Sequence, residues 1–383
     1  MPENWQAASL SDLTVFEYGK ALKEADRDGT GFPVFGSAGE VGKHSVPLVD
    51  TGPVIVVGRK GTAGSVHWSP GPCSVIDTAY WVRIIDEQLM PEFAYLAISS
   101  LNLPSLCAQT GVPGLNRDRA YSQPVGLPPM SEQRRIVDLV ESIDNYIDAL
   151  QGQISAVERS LNALLSDWVD RSQRPTAILG ELARIGSGPS WTKENERQTP
   201  SETATRVLGI TNTPAGSIMN LDDEKYVEAL PEKTALLTEF SLLMIRTNGN
   251  RNRIGNVYQV TPAATGCAFS AFQIGLHFES KEISDFAYWM LRERRIQSLI
   301  TENASGTTGL GNVAVKWLKA LPIPWGTDSE RREAMLLFHS LQAVAEGLQE
   351  SLHRARLLRS GVLSELLSGD RLLDESYDKA VGW

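Results

Sequence analysis

LPPMSEQRRI occupies residues 127–136, and LPIPWGTDSERR occupies residues 321–332. Each is a proline-pinned turn followed by Ser-Glu and an arginine pair, and each opens a long proline-free stretch. Reading backward from each, TGVPGLNRDRAYSQPVGLPP (110–129) faces SGTTGLGNVAVKWLKALPIP (305–324). Gly111, Gly114 and Leu115 pair with Gly306, Gly309 and Leu310, leaving Gly311 as one extra residue. The starts of the two halves also rhyme, Leu10-Ser-Asp-Leu13 against Leu179-Gly-Glu-Leu182. Three echoes in one order make an internal duplication: globular unit, helix, globular unit, helix.

The proline-free stretches carry the helical signal. Ile136, Val140, Ile143, Ile147, Leu150, Ile154, Val157, Leu161, Leu164 and Trp168 step alternately by four and three, which is a heptad seam. Leu337, Leu341, Val344, Leu348, Leu352, Ala355, Leu358 and Val362 repeat the spacing. Ser131 and Ser329, with acids in the first turn, are the expected N-caps. The prolines before them end a strand and set the angle of approach. A helix of about 35 residues is about 50 Å long. So narrow a seam needs a partner, and the other helix supplies one as an antiparallel pair. Packing of each helix on its own globular unit is the alternative. Gly152 marks a kink or a close crossing.

Between the helices lie short β-type runs and a few helices. VIVVG (54–58) and TAYWVRII (78–85) read as strands and PEFAYLAISSL (91–101) as a helix. In the second half FSLLMIRT, IGNVYQV and AFSAFQIGLHF read as strands and DFAYWMLRERRIQSLI as one helix. The class is mixed α+β without regular βαβ alternation. The expected division is a first globular domain at 1–130, a helical spacer at 131–174, a second domain at 175–328, and a helix with tail at 329–383.

Bulk properties limit the function. The 383 residues are 42 % hydrophobic, enough for two domains with cores. The beginning of the chain lacks the features of a signal peptide, and no apolar run approaches a membrane span, so a reducing cytoplasm is the expected location. Cys73, Cys107 and Cys267 are too few and too dispersed for a disulfide framework or a zinc knuckle. No GxGxxG, HExxH, GxSxG, phosphate loop or Asn-Pro-Pro-aromatic run occurs, so no catalytic, cofactor-binding or metal-ligating residue is expected. The net charge of −10 opposes a chain that grips nucleic acid alone by bulk electrostatics.

Two loops nevertheless suit nucleic acid. GRKGTAG (58–64) is either a glycine-rich hairpin or a loop bringing Arg59 and Lys60 to phosphates or base edges. Its counterpart RTNGNRNRIG (246–255) is rich in the Asn and Arg that pair with adenine and guanine in the major groove, or else is a solvated turn. VFGSAGEVGKH (34–44) ends in Lys43 and His44, the histidine reading as an ordinary surface or core residue. SGPSWTK (187–193) places Trp191 beside Lys193, for stacking or for anchoring the loop. The candidate DNA contacts are Lys43, Arg59, Lys60 and Arg117 in the first unit. In the second they are Trp191, Lys193, Arg246, Asn248, Asn250 and Arg251.

The whole arrangement resembles the specificity subunit of type I restriction–modification systems. LPPMSEQRRI is similar to that family's usual opening of a helical region. YGKAL (18–22), FPVFGSAGEVGKH (32–44), GRKGTAGSV (58–66) and IDTAYWV (76–82) look like landmarks of one class of its target recognition domains. The second opening departs, lacking the double proline and the glutamine. The resemblance implies two target recognition domains, each reading half of a bipartite DNA sequence, with the two helices as a spacer. It implies a non-catalytic chain on which two methyltransferase subunits dock, bringing S-adenosylmethionine, and to which motor-nuclease subunits can add. Successive major grooves on one face of DNA lie about 34 Å apart, within reach of such helices. A duplicated chain also mimics a two-fold axis for two identical partners. The acidic charge fits if the methyltransferases supply most phosphate contacts. The other readings are a DNA-reading module of another defence system and a non-catalytic interaction scaffold.

Overall fold

The computed structural model describes residues 2–107, 114–170, 174–216, 218–304, 311–373 and 377. Gly111, Gly306, Gly309 and Leu310 of the sequence alignment lie outside them. The chain forms two compact units, residues 1–151 with 350–383 and residues 152–349, and the division falls inside both long helices.

In the first unit β1 (Gln6–Ser9) leads through α1 (Leu10–Leu13) into β2 (Thr14–Tyr18). There follow β3 (Phe32–Gly36), β4 (Gly39–His44), β5 (Val54–Gly58), β6 (Val66–Ser69), β7 (Ser74–Val75) and β8 (Ala79–Ile84). Next come α2 (Pro91–Ser100), α3 (Arg117–Tyr121), β9 (Pro124–Leu127) and the long α4 (Met130–Asp170). A four-stranded sheet runs β2-β8-β5-β6, a smaller one runs β4-β3-β7, and β1 pairs with β9.

The second unit contains β10 (Thr176–Ile178), α5 (Leu179–Leu182), β11 (Ala183–Ser187), β12 (Glu196–Arg197), β13 (Ala204–Leu208) and β14 (Tyr226–Glu228). Then come β15 (Ser241–Ile245), β16 (Thr247–Asn248), β17 (Val257–Gln259), β18 (Ala268–Phe269) and β19 (Gln273–Phe278). The chain continues through α6 (Lys281–Arg292), α7 (Arg294–Glu302), β20 (Gly311–Asn312), α8 (Val315–Lys319) and β21 (Pro322–Pro324) to α9 (Asp328–Ser368). Its main sheet runs β11-β19-β15-β17, strand for strand the order of the first unit, and β10 pairs with β21 as β1 pairs with β9. The parallel pairing of β13 with β18 repeats that of β3 with β7. The two LxxL phrases are the matching four-residue helices α1 and α5, so the duplication is real at the level of topology.

The expected elements are largely present. VIVVG is β5, TAYWVRII holds β8 and PEFAYLAISSL holds α2. The stretch read as one helix from Asp285 is two, α6 and α7. Glu293 separates them, its carboxylate accepting from the Arg295 and Ile296 amides as a new N-cap.

Both long helices have 41 residues, about 60 Å at the usual rise. Every residue of the α4 seam is buried or half-buried. In α9 the buried line runs Ala334, Phe338, Leu341, Ala345, Leu348, Leu352, Ala355, Arg359, Val362, Leu366. Leu337, Val344 and Leu358, expected on the seam, are 54 %, 48 % and 58 % exposed. The heptad period holds, but the seam uses small alanines and one arginine where the sequence offers more strongly apolar neighbours. In the first unit Leu366 joins Ile136 and Val140 in the core, and Arg359 holds Asp144 through two bonds, Nη2 donating at 2.8 Å. In the second unit Ala334, Met335 and Phe338 pack with Leu165 and Trp168. Within each unit the start of one helix therefore lies against the end of the other, an antiparallel pairing. Gly152 makes no close crossing: a side chain there would meet nothing within 4 Å.

The openings of the helices differ from expectation. Ser131 is exposed inside the first turn of α4, which closes instead on the Pro129 carbonyl, accepting from the Glu132 and Gln133 amides at 2.9 and 3.0 Å. In α9 the cap is Thr327. Its amide and hydroxyl donate to the Glu330 carboxylate at 2.8 and 2.9 Å, a capping box two residues before the expected serine. Gln133 is fully buried. Its amide nitrogen donates to the Gln88 and Pro128 carbonyls and its oxygen accepts from the Met90 amide, at 2.7–2.9 Å. Glu132 accepts from the Trp5 indole at 3.1 Å. The SEQRR phrase thus bolts α4 to its domain. In the second copy Arg331 stands where Gln133 does in the first. It donates to the Gly326 carbonyl and Asp328 carboxylate, stacked 4.9 Å from the Trp325 ring.

Candidate nucleic-acid interface

The four landmark phrases of the first unit meet at one end of its sheet. Glycine makes this possible: a Cβ on Gly19 would lie 2.1 Å from the Ile76 carbonyl oxygen, and one on Gly58 2.2 Å from that of Thr62. Ser37, between β3 and β4, ties two of these phrases to its own: its amide donates to Thr78 Oγ1 at 3.3 Å and its carbonyl accepts from the Ser65 hydroxyl. GRKGTAG proves to be the hairpin loop between β5 and β6. Gly64 serves packing rather than a ligand, since a Cβ there would strike the Leu103–Pro104 backbone at 2.5–2.6 Å.

Arg59 leaves the end of β5. Its amide donates to the Thr78 carbonyl at 2.9 Å and its Nη1 to the Asp77 carbonyl at 3.1 Å. Its carbonyl accepts from the Leu115 amide at 2.9 Å, and Lys60 forms a bridge with Gly114, so α3 is brought alongside. Arg117, the first residue of α3, donates Nη1 to the Phe16 carbonyl at 3.1 Å on the edge strand β2. Both guanidinium groups lie over the Tyr18 ring, Cζ to centroid 5.1 Å for Arg59 and 4.8 Å for Arg117. Tyr80, opposite Tyr18 in the β2–β8 register, places its ring 5.2 Å from Tyr18. Burial pushes the Tyr80 hydroxyl pKa up and Tyr18 adds to this, while the two arginines pull it down. The structure thus brings together Arg59, Lys60 and Arg117. Lys43 lies apart, exposed on β4 opposite Pro33 in the smaller sheet. His44 beside it stands 3.4 Å from Asp28.

In the second unit Arg246 is the counterpart of Arg59, leaving the end of β15. Its amide donates to the Phe272 carbonyl at 2.8 Å and its Nη1 to the Ala271 carbonyl at 3.3 Å, the equivalents of Thr78 and Asp77. Its Nε donates to the Val313 carbonyl at 3.4 Å, while the Val313 amide returns a bond to the Arg246 carbonyl. Val313, not Leu310, is therefore the positional match of Leu115. Asn248 Oδ1 accepts from the Asn250 amide and Asn250 Oδ1 from the Asn252 amide, which turns the loop. Arg251 is exposed.

Trp191 lines a groove of about 540 Å³ with Ala271, Phe272, Asp223 and Lys225. Its ring packs against Val207 and Val227 and its indole donates to Glu196 at 2.9 Å, a bond that lowers the Glu196 pKa, with Lys225 assisting. Trp191 thus anchors its loop while edging the groove. Lys193 is exposed on the next turn. Phe272, 53 % exposed, was not singled out from the sequence, nor were Tyr18 and Tyr80. Aromatic residues in stretches that read as strands look like core until the register and the turns are known, and Phe272 falls in the turn before β19.

Residues 2–159 match the family model described as "Type I restriction modification DNA specificity domain". Among solved structures, the crystal structure of a type I restriction-modification system S subunit from M. genitalium matches with TM-score 0.60 and 17 % identity, over 95 % of this chain and 96 % of that one. A second, described as "Structural basis underlying complex assembly and conformational transition of the type I R-M system", matches with TM-score 0.60 and 15 % identity, over 97 % of this chain and 99 % of that one. At these identities the likeness is one of fold. The resemblance read from the sequence holds, and it extends in fold across both units.

Proposed function

We propose that this chain is the DNA-recognition subunit of a type I restriction–modification complex. Each unit reads one half of a bipartite target, and α4 with α9 sets the separation of the halves. The observation that carries this reading is the duplication. A matched specificity domain occupies the first unit, and the second repeats its sheet order with an arginine leaving the same strand end.

The chain acts as a reader, and the methylating chemistry belongs to partner methyltransferase subunits that bind S-adenosylmethionine. Two such subunits dock on the helices, and motor-nuclease subunits can join them. The surface of α9 suits docking: Leu336 and Leu337 are 73 % and 54 % exposed, and Leu357 and Leu358, three heptads later, are 61 % and 58 % exposed. Unpaired leucine doublets at one heptad phase are what repeated partners would cover. No helix among the described residues is long and apolar enough to cross a membrane, and the complex would work on DNA in the cytoplasm.

The test is the adenine methylome of the native strain with and without this gene. Loss of one bipartite methylated motif on deletion is expected. An unchanged methylome in cells that express the methyltransferase would overturn the reading.

A further inference from the structure

Arg59 and Arg117 are two cations sharing one tyrosine ring, and among the described residues neither forms an ion pair. Holding like charges together without a counter-ion is unfavourable unless an anion completes the group. Arg117 lines an open depression of about 410 Å³ with Tyr18, Tyr80, Gly114, Asn116 and Asp118, and Arg59 lies on the same Tyr18 ring outside that lining. We infer that Arg59 and Arg117, stacked on Tyr18, form a clamp for one phosphate of the DNA backbone. This deepens the proposed function and rests on it.

Three features favour a phosphate over a base edge. Each guanidinium is tied back by one N–H to a main-chain carbonyl, Asp77 or Phe16, and is half-buried. Reading a base needs a side chain extended into a groove about 8.5 Å deep, which a tethered, stacked arginine cannot do. The N–H groups left free on Arg117 in the depression and on Arg59 at the same tyrosine ring suit the several acceptor oxygens of a phosphodiester. Tyr18 is a positioning residue: its ring orients both cations. Asp118 is the one carboxylate in the depression, and it opposes the bound anion.

The second unit lacks this device. Strand register places Ser187 where Tyr18 stands and Ile274 where Tyr80 stands, while Val315 matches Arg117 at the start of the short helix. Arg246 remains alone, tied to two carbonyls. The clamp therefore fixes the first unit on its half-site and has no counterpart in the second.

The test uses the full chain in complex with its methyltransferase subunits. Dissociation constants are measured across a salt series, on the target duplex and on duplexes with single base-pair changes in the first half-site. Arg59→Gln, Arg117→Gln and the double variant keep the aliphatic stems. One phosphate contact corresponds to about 0.9 in the slope of log K against log salt. Expected is a slope reduced by about one in the double variant, not two, with affinity falling by a similar factor on every duplex. Tyr18→Phe should behave as wild type and Tyr18→Ser as a partial loss, and Asp118→Asn should tighten binding. An unchanged slope with discrimination lost at one base pair would make the arginines base readers and overturn the clamp. Wild-type affinity and slope in the double variant would overturn it as well. In both cases the wild-type complex still binds its target specifically, so the proposed function stands. A wild-type complex that binds no DNA sequence specifically would overturn both.

Discussion

The ends of β5 and β15 are the same piece of backbone carrying different chemistry. Arg59 and Arg246 each donate their amide and Nη1 to two consecutive carbonyls, Thr78 and Asp77 in one unit, Phe272 and Ala271 in the other. Around Arg59 stand Tyr18, Tyr80 and a second arginine, whereas Arg246 is flanked by exposed Phe272 and the Trp191 groove. The helix openings give the same lesson. Gln133, fully buried, satisfies three backbone groups, and Arg331 in its place satisfies one carbonyl and a neighbouring carboxylate. Main-chain bonds preserve the duplicated frame, and the side chains on it are free to diverge. The proposed reading of two different half-sites needs that combination.

The first way to break the comparison is at Gln133. Gln133→Leu would strand the Met90 amide and the Gln88 and Pro128 carbonyls, costing about 4 kcal/mol at 1–3 kcal/mol per buried unsatisfied group. Denaturant unfolding, with hydrogen exchange to assign the loss to residues 1–151, checks it. A loss under about 1 kcal/mol would mean the glutamine does not fasten α4.

Next in size is an acid response confined to the second unit. His277 is buried with its Nδ1 against Ser241 Oγ at 2.9 Å, and burial, helped by Arg184, pushes its pKa down to about 4. Above pH 6.5 folded and unfolded forms are both neutral and stability is complete. Between 6.5 and 4 the unfolded histidine takes a proton that the folded one refuses, so stability falls by about 3 kcal/mol in all. The matching position in the first unit is the exposed Arg83, which has no such response. Exchange rates in the second unit should rise across this window, and His277→Gln should flatten the response.

Arg331→Leu should cost about 2 kcal/mol, less than Gln133→Leu, because two bonds rather than three are lost and Asp328 stays in water. The smallest effect is at the seam: Arg359→Ala and Asp144→Ala, a pair 30 % and 42 % exposed, should couple by about 0.5 kcal/mol in a double-mutant cycle. A coupling near zero would reduce the pair to decoration.

Much of the frame was legible in the sequence. The α4 seam was visible because isoleucine, valine and leucine mark every step of four and three. The α9 seam was only half visible, since Ala334, Ala345 and Arg359 lie on it while Leu337, Val344 and Leu358 face solvent. Hydrophobicity alone ranks those residues the wrong way round. Arg59, Lys60 and Arg117 were identifiable as basic loop residues. The stacking of Arg59 and Arg117 on Tyr18 was not, because it depends on the β2–β8 register and on α3 folding back over an edge strand. The break at Glu293 was hidden for a similar reason: an acid within a helical run reads as surface until its carboxylate is seen capping the next helix.

The central claim is that one chain carries two readers separated by a helical ruler. Deleting one heptad from each helix, residues 147–153 and 345–351, keeps both seams in phase and removes about 10 Å of rise. The methylome of cells carrying the shortened chain tests the claim directly. The expected result is a motif with both half-sites intact and a non-specific spacer about three base pairs shorter, at 3.4 Å per pair. A folded, methylation-competent chain that still marks the original spacing would contradict it.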